Sequence, residues 1–361
     1  MPHFFVFQNV IGEILRRKIS LSVSGKVDHT NDHMSFSSSL AWSARHGMHV
    51  VAETLGLGRD QHTRNVEMYY EVSLKNISAF SQSCVLILPE PQSRHTQTLY
   101  SPVQYTPKPS DVRTEIRYGN TFSVWNLTLA PQEEIGIEQQ VMAELKPTET
   151  RDLLSAPETV NDYREEDREP VERFLAPSAH LQLSREHAAA LLQKLSPKST
   201  PVSVLLKEIQ EIVCETLNYG NPIPGLYGAE ESFTKKIVDC GGFDTLFVAL
   251  CQHCGIPARV VGGFWAIPSK LQMHAWVEAL HPTGRWMPVD PSVVFLHRHK
   301  RTNRSGSIGF VGSDRIAYSH GCDLALEIEN KIVNVDLLQT PTLLQEAEEI
   351  KMTHTFTSQQ V

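Results

Sequence analysis

Cys240, His274 and Asp290 lie in the chain order that thiol catalysis uses: an attacking sulfur, a base for its proton, and a carboxylate to orient the base. Each sits in a short string that suits its task. The strings are Asp239-Cys240-Gly241-Gly242-Phe243-Asp244, Met273-His274-Ala275-Trp276-Val277-Glu278 and Trp286-Met287-Pro288-Val289-Asp290-Pro291. A cysteine that opens a helix feels the positive end of the macrodipole, which favours the thiolate. Gly241 and Gly242 are expected to leave room for a substrate backbone. His274 and Trp276 share one face of a strand, opposite Ala275 and Val277. Asp290 follows a Pro-Thr-Gly turn at 282–284 that brings its strand back beside His274. A carboxylate there can hold the imidazole tautomer and stabilise the imidazolium.

These side chains need elements to carry them. The spacing of Phe243, Leu246, Phe247 and Leu250 predicts an apolar helix from Cys240 to Cys254, stopped by Gly255-Ile256-Pro257. Strands are expected around 259–264, 274–280 and 285–290. Upstream, Ser184 caps a predicted helix over 185–195. Thr200-Pro201, read as N-cap and first helical residue, opens another whose apolar face is Leu205, Leu206, Ile209, Ile212, Val213 and Leu217. Helices followed by an antiparallel sheet make this half an α+β unit. The first part reads as β. Ile19, Leu21 and Val23 alternate with serines, and Val66, Met68, Tyr70, Val72 and Leu74 alternate with polar residues. Cys84–Leu88, the region through Val124 and Leu127 after the turn Tyr118-Gly119-Asn120-Thr121, and Ile135, Ile137 and Val141 suggest further strands. The expected organisation is a β-sandwich over 1–155, a charged linker over 156–183, a catalytic domain over 184–330 and a C-terminal extension over 331–361.

The 361 residues exceed what one core usually serves. With 41% hydrophobic and 20% charged residues the composition is that of an ordinary globular protein. A net charge of −8 speaks against nucleic-acid and anionic-membrane partners. No apolar run has spanning length, the N-terminus lacks a basic secretory leader, and six cysteines are too few for a disulfide scaffold, so a cytoplasmic location is expected. The N-x-S/T triplets at Asn76, Asn126 and Asn303 then carry no glycan. Cys251-Gln-His-Cys254 has CxxC spacing, but it sits at the helix end that raises thiol pKa and lacks a second ligand pair; core packing is expected, and no metal. The basic run His297–Arg304 reads as a solvated loop, or as a surface that steers an acidic substrate. Trp265 and Trp276 read as cleft wall or core.

The string from Cys240 to Arg259, ending Gly-Ile-Pro-Ala-Arg, resembles the nucleophile helix of the transglutaminase-like superfamily. His274-Ala-Trp-Val-Glu and Trp286-Met-Pro-Val-Asp290-Pro resemble its histidine and aspartate strands. The likeness covers about 205–290. The β region around Trp125-Asn-Leu-Thr-Leu-Ala-Pro is similar to N-terminal domains of bacterial members. The pattern departs at Val238-Asp239-Cys240, where many members have Gly-x-Cys. The resemblance implies a papain-like core with Cys240 as nucleophile, His274 as base and Asp290 as orienting carboxylate, acting without a cofactor on amide bonds of peptides or proteins. Hydrolysis is the first expectation. Acyl transfer from glutamine to an amine is the second, and a peptide-binding module without catalysis the third. The Cys240 N–H is the expected first oxyanion donor, with Tyr219 or Asn218 as candidates for the second.

Overall fold

The computed structural model describes residues 61–176, 178–266, 272–328, 331–346 and 348–361. The alternating segment at 19–23 lies outside them. In chain order the β-rich first part comprises β1 (Arg64–Asn76), β2 (Gln82–Glu90), β3 (Gln97–Leu99), β4 (Gln104–Thr106), β5 (Asp111–Thr114), β6 (Thr121–Leu129) and β7 (Glu134–Leu145). The helices are α1 (Arg168–Leu175), α2 (Arg185–Leu192), α3 (Val202–Thr216), α4 (Ala229–Lys235), α5 (Cys240–His253) and α6 (Pro291–Arg298). The second half adds strands β8 (Ala258–Trp265), β9 (Met273–Leu280), β10 (Trp286–Val289), β11 (Arg315–His320), β12 (Leu324–Ile328), β13 (Lys331–Val335), β14 (Thr342–Gln345) and β15 (Ile350–Gln360).

The period-two pattern of β1 buries Val66, Met68, Tyr70, Val72 and Leu74 and leaves the intervening residues part-exposed or exposed. One antiparallel sheet runs β15-β1-β7-β3, with β4 also on β7; another runs β14-β2-β6-β5. Leu86, Leu88 and Trp125 of the second share an apolar cluster with Met68, Tyr70 and Val141 of the first. The edge strands β14 and β15 come from the C-terminal region, so both sheets draw on both ends of the chain. The sequence suggested a sandwich closed within 1–155 and a separate extension over 331–361. A strand is completed by whichever segment supplies its open edge, and the alternation within β1 does not encode that partner.

The helical half is built around α5. Phe243, Leu246, Phe247 and Leu250 are fully exposed to the core and closed to solvent, and so are Val248 and Ala249 on its other faces. A helix apolar all round is a central helix. It packs against the sheet β10-β9-β8-β11 on one side and α3 on another. Each fully buried Leu or Phe there contributes about 1.5–3 kcal/mol. Gly255, at φ +80°, ends α5 in the left-handed conformation that a glycine accepts without strain. Gly263 is required by a close approach: a Cβ there would stand 2.0 Å from the Ile316 carbonyl oxygen, where β8 meets β11 at a register shift.

Two local expectations change. Pro201 is itself the N-cap of α3, with ψ 141°, and the Thr200 hydroxyl donates to the Ser196 carbonyl instead of capping the helix. The charge run 163–170, expected as a solvated linker, forms a 3-10 turn (Glu165–Asp167) and α1. Tyr163 donates to the Leu280 carbonyl at 2.7 Å, and Phe174 is buried between Tyr118 and Trp286. The apolar residues flanking the charges dock the segment, while the charges face water.

Candidate active site

Cys240 is the first residue of α5, and Asp239 is its N-cap, accepting from the Gly242 N–H. The second carboxylate oxygen of Asp239 accepts from the Ile223 N–H at 3.2 Å, tying the loop before α4 to the helix start. Cys240 as a residue is half-buried, and its sulfur takes a hydrogen bond from the Ala275 N–H on β9. The glycines after it serve packing more than substrate access. A Cβ on Gly241 would meet Leu226 at 2.7 Å, and one on Gly242 would meet Val238 at 2.6 Å.

His274 is buried on β9, next to Ala275. Its Nε2–H donates to Asp290 Oδ2 at 2.8 Å. That commitment leaves Nδ1 as the nitrogen available to a thiol. Trp265 stacks on the imidazole, with ring centroids 4.0 Å apart and planes 18° apart, which holds the ring in one orientation. Trp276 is fully buried, and its stacking on His274 is looser, at 6.1 Å. The β9–β10 pairing expected from the Pro-Thr-Gly turn is present, with Val277 opposite Val289. Asp290 does more than end β10. It is also the N-cap of α6, accepting through Oδ1 from the Val293 N–H at 3.0 Å and the Ser292 hydroxyl at 3.1 Å.

Arg315 on β11 completes the arrangement. It donates to Asp290 Oδ2 at 2.5 Å and to the Ser305 carbonyl, and its guanidinium lies over Trp265. Sequence reasoning missed it. One arginine twenty-five positions beyond Asp290 carries no local signal, and its place follows from the β8–β11 pairing alone.

Burial acts on every ionisable group here. It would raise Asp290, but His274, Arg315 and the Val293 N–H outweigh it and hold this carboxyl well below the usual range. Burial lowers His274, with Asp290 opposing and Arg315 reinforcing. It pushes the Cys240 thiol up, helped by the carboxyls of Asp244 and Asp239 and opposed by the Ala275 N–H. The helix-start position was expected to favour a thiolate; desolvation reverses that at rest. Burial therefore favours the neutral thiol of Cys240 and the neutral imidazole of His274.

Asp244, one turn below Cys240 on α5, is fully buried, and neither carboxyl oxygen has a hydrogen-bond partner among the described residues. Burial first, then Asp290 and Asp239, raise its pKa well above the ordinary carboxylate value and favour the neutral form.

Cys240, His274 and Ala275 line one side of a cavity of about 440 Å³. Its other walls come from the loop at Ile223–Leu226 and from residues 334–342. Cys251 and Cys254 are buried in the apolar core, as packing required. Among the described residues no group of His, Cys, Asp and Glu has the arrangement of a metal site. In the basic run, residues 298–301 are exposed to solvent, Arg298 pairs with Glu211 at 2.5 Å and the Arg304 guanidinium lies over Trp265. Tyr219 is part-buried, with Cys240 and Asp239 in its electrostatic surroundings.

Comparison with known proteins accords with this core. Residues 189–291 match the model of the transglutaminase-like superfamily. The fold is similar to that of a candidate cysteine protease from Cytophaga hutchinsonii, at TM-score 0.54 and 16% identity over 83% of this chain and 91% of that one. A weaker likeness, at TM-score 0.32 and 16% identity, covers 63% of this chain and 75% of the periplasmic domain of TgpA from Pseudomonas aeruginosa. No curated protein matches the chain. The three strings around Cys240, His274 and Asp290 fall within residues 189–291, the segment that is similar to the transglutaminase-like superfamily.

Proposed function

We propose that the protein is a thiol hydrolase of peptide or protein amide bonds, with Cys240 as nucleophile, His274 as base and Asp290 as the carboxylate that orients it. The observation that carries this reading is the 2.8 Å His274–Asp290 hydrogen bond, made by a histidine that lines the same cavity as Cys240. In the first half-reaction Nδ1 of His274 takes the thiol proton as the sulfur attacks the amide carbon. The oxyanion receives the Cys240 N–H. The imidazolium, stabilised by Asp290, returns the proton to the leaving nitrogen as the C–N bond breaks. The amine departs and a thioester remains. Water then attacks, gives a proton to His274, and the C–S bond breaks to release acid and free thiol. The neutral forms that burial favours suit this sequence, because the charges arise in the transition state, where the Asp290–Arg315 frame is already in place.

The test is mass spectrometry of the intact chain after incubation with a peptide-amide library. An acyl adduct on Cys240 that decays in water supports the reading. Its absence, with peptide bound equally well by Cys240→Ala, replaces the enzyme with a binding module. Decay that requires an added amine makes the protein an acyltransferase instead.

A further inference from the structure

The segment after β13 closes one end of the cavity. Gln339 is buried, and its side-chain nitrogen donates to the backbone carbonyls of Gly263 and His274, the latter at 3.0 Å. Leu337 packs against the helical core. The segment is thereby pinned to β8 and β9, the side of the cavity that carries His274. Asp336 reaches to the opposite side. A Cβ on Gly225 would stand 2.7 Å from Asp336 Oδ2, so the carboxylate lies against the backbone of the loop that precedes α4. The segment therefore spans from the histidine wall to the loop wall and bounds the cavity between them.

Among the described residues, the acidic side chains of the lining, Asp239 and Asp336, are not matched by lysine or arginine; the lining also includes His274 and His354. Asp239 is engaged as the helix cap, and burial keeps His354 neutral. Asp336 is about half exposed, and its Oδ1 is 3.8 Å from His180 Nε2. His180 is itself bound to Asp323 at 2.5 Å, so even a protonated His180 leaves the His180–Asp323–Asp336 group with net negative charge. An anionic, closed end beside a nucleophile is complementary to a substrate that stops there in a positive charge.

Resting on the thiol-enzyme reading, we propose that residues 336–340 set the specificity of the site, closing one end of the cleft so that Asp336 receives a primary ammonium group of the substrate. The α-ammonium of a peptide that begins at this boundary fits best. A lysine side chain offers the same chemistry from another source.

The experiment measures binding by calorimetry in the full chain carrying Cys240→Ala, so that it does not depend on turnover. The probes are Ala-Ala-Ala amide, its N-acetylated form, and N-acetyl-Lys-Ala-Ala amide. The free amine should bind about tenfold more tightly than the acetylated peptide, as a charge-assisted hydrogen bond in a partly buried site allows. Asp336→Asn should erase that difference. Asp336→Glu should restore part of it, which separates lost charge from lost folding, and both variants should melt as the parent does. Equal gain with the lysine peptide supports the proposal with the side chain as the source. Equal affinity for all three probes, binding of none, or a preference that survives Asp336→Asn overturns it. Failure of wild-type Cys240 to form an acyl adduct, with the ammonium preference intact, defeats the hydrolase reading and leaves this one standing.

Discussion

Helix α5 carries thiols at both ends, and they differ in company more than in acidity. Cys240 at its start and Cys251 and Cys254 near its end are all pushed up by burial. Position along the macrodipole therefore does not set them apart, since its reach is about one turn and desolvation is the larger effect. What distinguishes Cys240 is a cavity, an N–H from Ala275 and an imidazole on the neighbouring residue of the same strand. Cys251 and Cys254 have apolar neighbours. The same contrast recurs between two buried carboxyls. Asp290 accepts from His274, Arg315, Ser292 and Val293, which hold its charge; Asp244 accepts from none of the described residues and is pushed toward its neutral form. Burial sets the penalty for charge, and partners decide whether the charge survives it.

The largest effect expected from breaking this contrast is on Asp290. Asp290→Asn should lower amide turnover on the order of a thousandfold or more, by favouring the wrong imidazole tautomer; a single-turnover assay would read it, and a loss below tenfold would remove Asp290 from the mechanism. Arg315→Met leaves the Asp290 charge with one counter-ion fewer, and chemical denaturation should show a loss of about 3–5 kcal/mol. Iodoacetamide at neutral pH should label Cys240 at least about tenfold faster than Cys251 or Cys254, because access and a proton acceptor remain when intrinsic acidity does not discriminate. Peptide mapping of the labelled chain checks this, and equal rates would mean that the cavity does not expose the sulfur.

The carboxyls predict opposite pH slopes. Asp290, with its folded pKa below the unfolded value near 4, adds stability that is present above that value and is lost as pH falls through the folded pKa. Asp244, with its folded pKa raised, adds stability below the unfolded value and loses it as pH climbs toward the folded one. Asp244→Asn should therefore gain stability over the parent at pH 7 relative to pH 4. Melting curves of variant and parent at both pH values compare directly, and a gain that is equal at the two would mean Asp244 has a hidden partner. The smallest effect belongs to the exposed Arg298–Glu211 pair, where Arg298→Ala should cost less than about 1 kcal/mol.

Local patterning made much of this legible. The period-two burial of β1, the apolar α5 with Gly255 at its end, and the hairpin that sets β10 beside β9 all follow from spacing and turn chemistry over a dozen residues. So does the Ser184 cap of α2, which accepts from the His187 N–H. The types and order of Cys240, His274 and Asp290 were enough to nominate them, because nucleophile, base and carboxylate each need a particular functional group. Long-range pairing was not legible. Arg315 reaches Asp290 through the register of β8 with β11, β15 closes a sheet begun by β1, and Asp336 meets Gly225 across the cavity. Such contacts are chosen by which edges and faces remain unsatisfied once local elements exist. The charge states belong with them. A sequence shows that a carboxyl or a thiol is present, whereas its ionisation depends on water excluded and partners supplied by distant segments, and those exist only after the chain has packed.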